Sequence, residues 1–333
     1  MEFNKPRIGI TLGDVAGIGP EVAIKALKNS IVEQLCIPVV IGEHSTVKYY
    51  ADLLLPNRHL KVIDAPQDAI PDSNSIQLLD LKNIKFSDVK LGKVSQECGK
   101  ASLAYIRAGV DWCLEKKLDA LVTGPIHKEA VQMAGIGAPG HTEFLAHLCK
   151  TPEVRMLLVV NNLRAIHVTT HMSLRKALDL IRTERILETI RFGQQALKDL
   201  GINRQRIAVA GLNPHASEGG LFGSEESDEI IPAIERARSE RVTIHGPIPP
   251  DTVFHRMNQN EFDLVIALYH DQGHIPLKLI GFDSGVNITV GLPIIRTSVD
   301  HGTAFDIAGQ LKANSVSMFK AIQLANVMTS VQN

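Results

Sequence analysis

Thirteen histidines stand in a chain of 333 residues that carries one Trp and four Tyr. Imidazole is the usual proton carrier near neutral pH and the commonest metal ligand. Three of these histidines recur at equivalent points. His171 closes IHVTTH, His215 follows IAVAGLNP, and His270 closes LVIALYH with Asp271 next. Each comes just past an apolar, β-branched run. Three imidazoles from separate elements, with one position left for substrate, are what a catalytic divalent ion requires. Spacing alone does not establish such a centre, because HExxH and other local metal motifs are missing from the sequence. A packed structural histidine is the ordinary alternative at each position taken singly.

Other polar groups are placed in the same way. VTGPIHKEA (122–130) offers His127 and Lys128. GHTEFLAH (140–147) sets His141 and Thr142 at a helix start, where backbone N–H groups can receive an anion or Thr142 can serve as the cap. HDQGHIPLK (270–278) brings Lys278 close behind His270, and GVNITVGLPIIRTSVDHGTAFDIAG (285–309) holds Asn287, Arg296, Asp300, His301 and Asp306. Lys278 and Arg296 adjoin apolar, Gly/Pro-punctuated stretches, unlike cations on a solvated helix face. GDVAGIGPE (13–21) puts Gly13, Gly17 and Gly19 in a strand-to-helix turn able to cradle an anion. Its GxxxGxG spacing is neither the dinucleotide fingerprint GxGxxG nor a Walker A loop. A tight turn needing glycine for backbone geometry is the simpler reading there, although Asp14 is well placed to face a ligand.

The elements that must carry these residues are legible in outline. RIGITL (7–12), IPVVIG (37–42), LDALVTG (118–124), RMLLVV (155–160), RAIHVTT (164–170), RIAVAGLN (206–213) and DLVIALYH (263–270) read as strands buried on both faces. Residues 97–117, 183–200 and 224–241 read as amphipathic helices, the last with Ser224 as cap and two acids in its first turn. This alternation predicts an α/β fold with a mostly parallel sheet, in which ligands bind beyond the carboxyl ends of the strands. Low-complexity linkers are lacking, so joints between domains are short; Gly/Pro-rich stretches lie at 135–140, 245–250 and 291–293.

Composition narrows the class. The chain is 44% hydrophobic and 21% charged, with 35 basic against 36 acidic residues, which suits a globular protein and gives no footprint for nucleic acid. Apolar runs fall short of the roughly 20 residues that span a bilayer. The start, MEFNKPRIGITLGD, lacks the pattern of a secretory signal. Cys36, Cys98, Cys113 and Cys149 are scattered without a CxxC pair, as expected for reduced thiols in a cytoplasm.

Taken in order, GDVAGIGPE, GPIHKEA, PGHTEFLA, THMSLRKA, LNPHASEGGLFG, YHDQGH and GVNITVGLPIIRTSVDHGTAFDIAG resemble the 4-hydroxythreonine-4-phosphate dehydrogenase family over essentially the whole chain. The resemblance implies a two-domain fold like that of isocitrate and isopropylmalate dehydrogenases, with a cleft between the domains, and not a Rossmann fold. A first α/β domain on the cofactor side would join 1–138 to 300–333; a second, 139–299, would carry the metal and the dimer interface. The resemblance also implies a homodimer whose metal site is shared between subunits. It assigns His171, His215 and His270 to one divalent ion per subunit (Zn, Co, Ni, Mn or Mg). It assigns His141, Thr142, Lys278, Asn287 and Arg296 to a phosphorylated substrate. The segment from His301, including Gly302, Thr303 and Asp306, is similar to the adenine-side NAD loop of the decarboxylating dehydrogenases. Lys278, or else Asp271, would move the hydroxyl proton.

A few positions depart from the family pattern. Val15 replaces a usual Pro, and Ser217 stands where Gly is common, beside a metal position. His274-Ile275-Pro276 and GPIPPDTVF resemble the sister branch of 4-phospho-D-threonate 3-dehydrogenases. The expected activity is therefore NAD- and metal-dependent oxidation with decarboxylation of 4-phospho-D-threonate, giving dihydroxyacetone phosphate and CO2 in D-threonate or D-erythronate catabolism. The alternatives are the 4-hydroxythreonine-4-phosphate reaction of pyridoxal phosphate biosynthesis and, outside enzymes, a phosphate-ligand binding protein.

Overall fold

The computed structural model describes residues 5–135 and 141–332. In chain order its first strands are β1 (Arg7–Thr11), β2 (Ile37–Gly42), β3 (His59–Val62), β4 (Ser75–Asp80), β5 (Ala120–Thr123) and β6 (Arg155–Val160). They are followed by β7 (Leu163–His167), β8 (Ile207–Ala210), β9 (Ile244–Ile248), β10 (Leu264–Ala267), β11 (Val286–Val290) and β12 (Arg296–Val299). Each apolar run named above coincides with or overlaps a strand, and the α/β class holds. Among the described residues, no helix is long and apolar enough to cross a membrane.

The chain separates into two compact units. One takes both chain ends, up to Val154 and again from Leu292; the other takes Arg155–Gly291. The expected joints stood at 138/139, which lies outside the described residues, and at 299/300. In the structure β12 pairs in parallel with β5, so Arg296 belongs to the first unit.

In the first unit the strands run in the order β3-β4-β2-β1-β5-β12, all parallel. β1 sits inside this sheet with Ile8, Ile10 and, on the other face, Thr11 fully buried, so both faces are covered. Helix Gln96–Leu114 covers it, started by Ser95, whose Oγ accepts from the Cys98 N–H at 3.3 Å.

In the second unit the order is β11-β6-β7-β10-β8-β9. β7, β10, β8 and β9 are parallel, while β6 runs antiparallel to both β7 and β11. Its core gathers Leu158, Leu163, Val265, Met257, Phe262 and Leu277. The helix expected over 224–241 begins as a π-helical turn, Glu226–Ile230, and continues as Ile231–Ser239. The Ser224 carbonyl accepts from the Asp228 N–H at 2.8 Å, as a residue at a helix start does.

Asp263 fastens the starts of β8 and β10. It accepts from the Arg206 backbone N–H at 2.9 Å, from Arg206 Nε at 3.2 Å and from Arg204 Nη2 at 3.0 Å. Burial works to raise its pKa, but these bonds outweigh burial and hold the carboxyl below its ordinary value. A depressed folded pKa gives stability that is present above the unfolded value of about 3.9 and is lost as pH falls through the folded value. Asp263→Asn is expected to cost about 1–3 kcal/mol at neutral pH. Denaturant unfolding should show the gap from the unsubstituted protein narrowing below about pH 4.

Candidate active site

Beyond the parallel strands β7 and β10 the chain stays paired for a few residues. Val168 N–H donates to the Ala267 carbonyl at 2.8 Å, and Thr169 Oγ1 donates to the Leu268 carbonyl at 2.9 Å. The two segments thus travel together to His171 and His270, whose ring centroids are 5.6 Å apart. Both strands end earlier than the sequence suggests. β7 stops at His167 and β10 at Ala267, so His270 opens the helix His270–Gly281. Gln272 anchors that helix start, accepting from Leu268 N–H and donating to the Gly211 carbonyl, each at 2.7 Å. His171, His270, Asp271, Tyr269 and Thr170 line an open cavity of about 230 Å³.

His270 Nδ1 lies 2.6 Å from Asp271 Oδ1. A carboxylate only accepts, so Nδ1 carries a proton, and in the neutral tautomer Nε2 has the lone pair. This is the carboxylate–histidine arrangement that prepares an imidazole for a divalent ion. Behind His270 lie His274 and the buried His167. Burial, with the neighbouring His274 second, pushes the His167 pKa down to about 3, so this ring is neutral at physiological pH.

His215 sits on a different device. Residues His215 to Glu218 all have positive φ, between 45° and 71°, and Gly219 continues the left-handed turn. Such backbone costs on the order of 1–2 kcal/mol per non-glycine residue and survives only where its surroundings over-determine it. The buried Glu226 carboxylate is that support. It accepts from the Leu212 and Asn213 N–H groups and from Asn213 Nδ2, each at 2.8 Å. Ser217, the departure from the family pattern, is buried in this turn and its hydroxyl donates to the Gly223 carbonyl. His215 stands 6.3 Å from the Phe222 ring. Among the described residues, no group of three His, Cys, Asp or Glu side chains could hold a metal ion. Within one chain His171 and His270 line one cavity, and His215 is not among its lining residues.

The expected substrate residues divide between the units. In the first, Arg296 on β12 is 2% exposed and directs Nε and Nη2 at Thr123 Oγ1, at 3.2 and 2.6 Å. Burial pushes the guanidinium down to about 9, which leaves it cationic at neutral pH. His141 is hydrogen-bonded to the Gly124 backbone; burial first, then the Arg296 charge, holds it well below its usual pKa. Its Nε2 is enclosed with no hydrogen-bond partner among the described residues. Thr142 follows it in the first turn of helix His141–Leu148. In the second unit, Asn287 on β11 has an enclosed Oδ1 that likewise lacks a partner among the described residues. Lys278, on helix His270–Gly281, holds Nζ 5.5 Å from the Phe282 ring. Enclosed polar atoms left unpaired are costly, so His141 Nε2 and Asn287 Oδ1 are suited to meet a ligand.

The expected cofactor segment packs on the glycine-rich start. The Thr303 carbonyl accepts from Ile18 N–H at 2.9 Å, Ala304 is left-handed at φ 40°, and Phe305 stacks on His127 at 4.6 Å and 17°. His301 Nδ1 lies 2.9 Å from the Gly302 carbonyl, and Asp306 is exposed in the short helix Phe305–Ile307. Gly13, at φ 69°, is required in the turn because a Cβ there would stand 2.2 Å from the Pro125 carbonyl. Asp14 is fully buried; Oδ1 accepts from Ala16 N–H at 2.9 Å, and burial raises its pKa. The N-terminal glycines and the C-terminal segment are thus one neighbourhood, where the sequence suggested a choice between them.

Residues 34–325 match the family model for pyridoxal phosphate biosynthetic protein PdxA. The chain is 47% identical over 324 residues to the D-threonate 4-phosphate dehydrogenase of Cupriavidus necator, covering 97% of each chain. A crystal structure of 4-hydroxythreonine-4-phosphate dehydrogenase from Klebsiella pneumoniae matches with a TM-score of 0.89 and 44% identity, over 98% of this chain and 100% of that one. A second, from Burkholderia phymatum, matches with a TM-score of 0.85 and 43% identity, over 97% and 98%.

Two supporting residues escaped the sequence. His167 reads there as an ordinary strand histidine, and Glu226 as a first-turn acid; only the fold shows what each touches. The spacing of His270 and His274, four apart and hence on one helix face, places two imidazoles together but says nothing of His167. Glu226→Ala leaves two backbone N–H groups unpaired and is expected to cost about 1–3 kcal/mol. Hydrogen exchange should speed up at 212–217 while the exchange of β7 and β10 stays slow; unchanged protection at 212–217 would show that Glu226 does not hold the turn.

Proposed function

Because the chain belongs to the PdxA family, we propose that it oxidises 4-phospho-D-threonate at its C3 hydroxyl, with NAD as acceptor and with loss of CO2. The product is dihydroxyacetone phosphate. The observation that carries the substrate is the 47% identity, spanning 97% of both chains, with the D-threonate 4-phosphate dehydrogenase of Cupriavidus necator. The second reading, oxidation of 4-hydroxythreonine-4-phosphate, draws on the Klebsiella pneumoniae structure. It replaces the C2 hydroxyl by an amine. We read the fold as that of isocitrate and isopropylmalate dehydrogenases; the order β3-β4-β2-β1-β5-β12 departs from the Rossmann order 3-2-1-4-5-6. Four scattered cysteines, all free, fit a cytoplasmic setting.

His171 and His270 of one protomer, with the partner subunit's His215, would hold the divalent ion. Both His270 Nε2 and the exposed His171 border the same cavity, which fits that role. The ion supplies positive charge that acidifies the substrate hydroxyl and steadies the charge that develops as CO2 departs. NAD supplies the hydride acceptor, held on its adenine side by His301, Gly302, Thr303 and Asp306. Lys278 takes the hydroxyl proton as hydride leaves C3. Asp271 is committed to His270 Nδ1 and so orients that ring, which leaves Lys278 as the better proton carrier. The bond from C1 to C2 then breaks, CO2 departs, and C2 takes up a proton. Arg296 is cationic and His141 neutral, so Arg296 provides the charge and His141 with Thr142 and Asn287 the hydrogen bonds for the substrate's phosphate and carboxylate.

A homodimer is supported by apolar side chains beside the histidines. Leu174 follows His171, Leu221 and Phe222 follow His215, and Ile275, Leu279 and Phe282 follow His270, all exposed. Leu221 is 72% exposed and Leu279 86%. Exposed apolar side chains flanking all three histidines fit surfaces for association, and a two-fold pairing would bring a second copy's His215 within reach.

Two experiments test these proposals. NADH formation should favour 4-phospho-D-threonate over 4-phosphohydroxy-L-threonine by at least about tenfold in kcat/KM; the reverse preference would move the chain to the biosynthetic reaction. Mixing His215→Ala and His171→Ala subunits, each inactive alone, should restore about a quarter of full activity, because half the dimers are mixed and one site in each is complete. No recovery after confirmed subunit exchange would show that all three histidines act within one chain.

A further inference from the structure

The structure assigns His274 and His167 as positioning residues that brace His270 from behind. This rests on the reading of His270 as a metal ligand. Neither residue borders the cavity, and neither belongs to the expected ligand or substrate set.

The brace can be traced atom by atom. His167, at the end of β7, is 1% exposed, and its Nδ1 lies 3.2 Å from the Met156 carbonyl on β6. A carbonyl only accepts, so His167 Nδ1 carries the proton and Nε2 carries the lone pair. That Nε2 lies 3.2 Å from His274 Nδ1, which must therefore be the protonated nitrogen of His274. The same Nδ1 is 3.2 Å from the His270 carbonyl, so one N–H is shared between two acceptors. Both imidazoles then have defined tautomers and defined ring planes.

The His274 ring lies face to face with His270, with centroids 3.8 Å apart and planes 8° apart. Asp271 fixes His270 through an in-plane bond at Nδ1, and His274 fixes its tilt through the ring face. Two constraints at right angles leave Nε2 one direction. The backbone is shaped for this arrangement, since a Cβ at Gly273 would stand 2.4 Å from His167 Nε2. Only glycine between Gln272 and His274 lets His167 reach its partner.

A ring held in one plane before binding pays less to bind, and loss of such outer support typically weakens metal affinity 10–100-fold. The test measures Co²⁺ affinity of the full chain by competition with a chromophoric chelator, together with the visible Co²⁺ absorption and the melting temperature of the metal-free protein. His274→Leu, which removes both stack and hydrogen bond, should weaken Co²⁺ about 10–100-fold and alter the absorption. His274→Phe keeps a flat face of similar size but loses the bond to His167, and should recover only part of the affinity. His167→Phe should weaken binding chiefly through His274, whose ring lies 4.8 Å from that of His167 against 6.2 Å for His270. Affinities within twofold of the unsubstituted protein for both His274→Leu and His167→Phe would overturn the brace. So would equal loss in His274→Leu and His274→Phe at unchanged melting temperature. If the unsubstituted chain takes up no Co²⁺, the metal reading itself falls, and the brace with it.

Discussion

A neutral imidazole has one N–H and one lone pair, and whichever nitrogen is spent inside the protein decides what the other can do. That constraint governs the site on the second unit. Asp271 occupies His270 Nδ1 at 2.6 Å and leaves Nε2 as the only nitrogen able to bind a cation. The parallel strands β7 and β10, still tied beyond their ends by Val168 and Thr169, then set His171 beside it. Gln272 joins the start of the His270 helix to Gly211, just past the end of β8 on the strand that leads to His215. The histidines thus depend on strand ends clipped together by a few buried polar groups.

Charge is distributed in a complementary way. In the first unit burial, and after it the charge of the buried, cationic Arg296, hold His141 well below its usual pKa. One permanent positive charge and a set of neutral donors suit a substrate that carries phosphate and carboxylate, because a second buried cation would add desolvation cost. On the second unit the carboxylate of Asp271 stands next to the ring expected to face a dication. Each group lies where its charge state serves the chemistry assigned to it.

Much of this was legible in the sequence, and the remainder has identifiable causes. Long apolar runs such as RMLLVV announced β6 because both faces are buried, and β-branched composition carried β2 and β8. β3 (HLKV) is half polar and largely exposed at the sheet edge, β9 contains Gly-Pro, and β12 begins with a buried arginine, so none has an apolar signature. The strand-end placement of the histidines was readable, but the strand ends themselves fall three or four residues early. The left-handed turn at 215–219 has no local signal, since four of its five residues are not glycine and the approach to it, at Leu212 and Asn213, is held by Glu226 from another element. His167 was indistinguishable from any other buried histidine until Met156, Gly273 and His274 were seen around it.

The central claim is that one divalent ion is held by His171 and His270 of one subunit together with His215 of another. Anomalous diffraction at the cobalt edge from crystals of the Co²⁺-loaded protein tests it most directly. The account predicts one peak per subunit, about 2.0–2.1 Å from the Nε2 atoms of His171 and His270 and from one nitrogen of the second subunit's His215, as for an imidazole-bound transition metal. A peak bound by His171 and His270 without any residue of a second copy, or a peak away from these histidines, would contradict it.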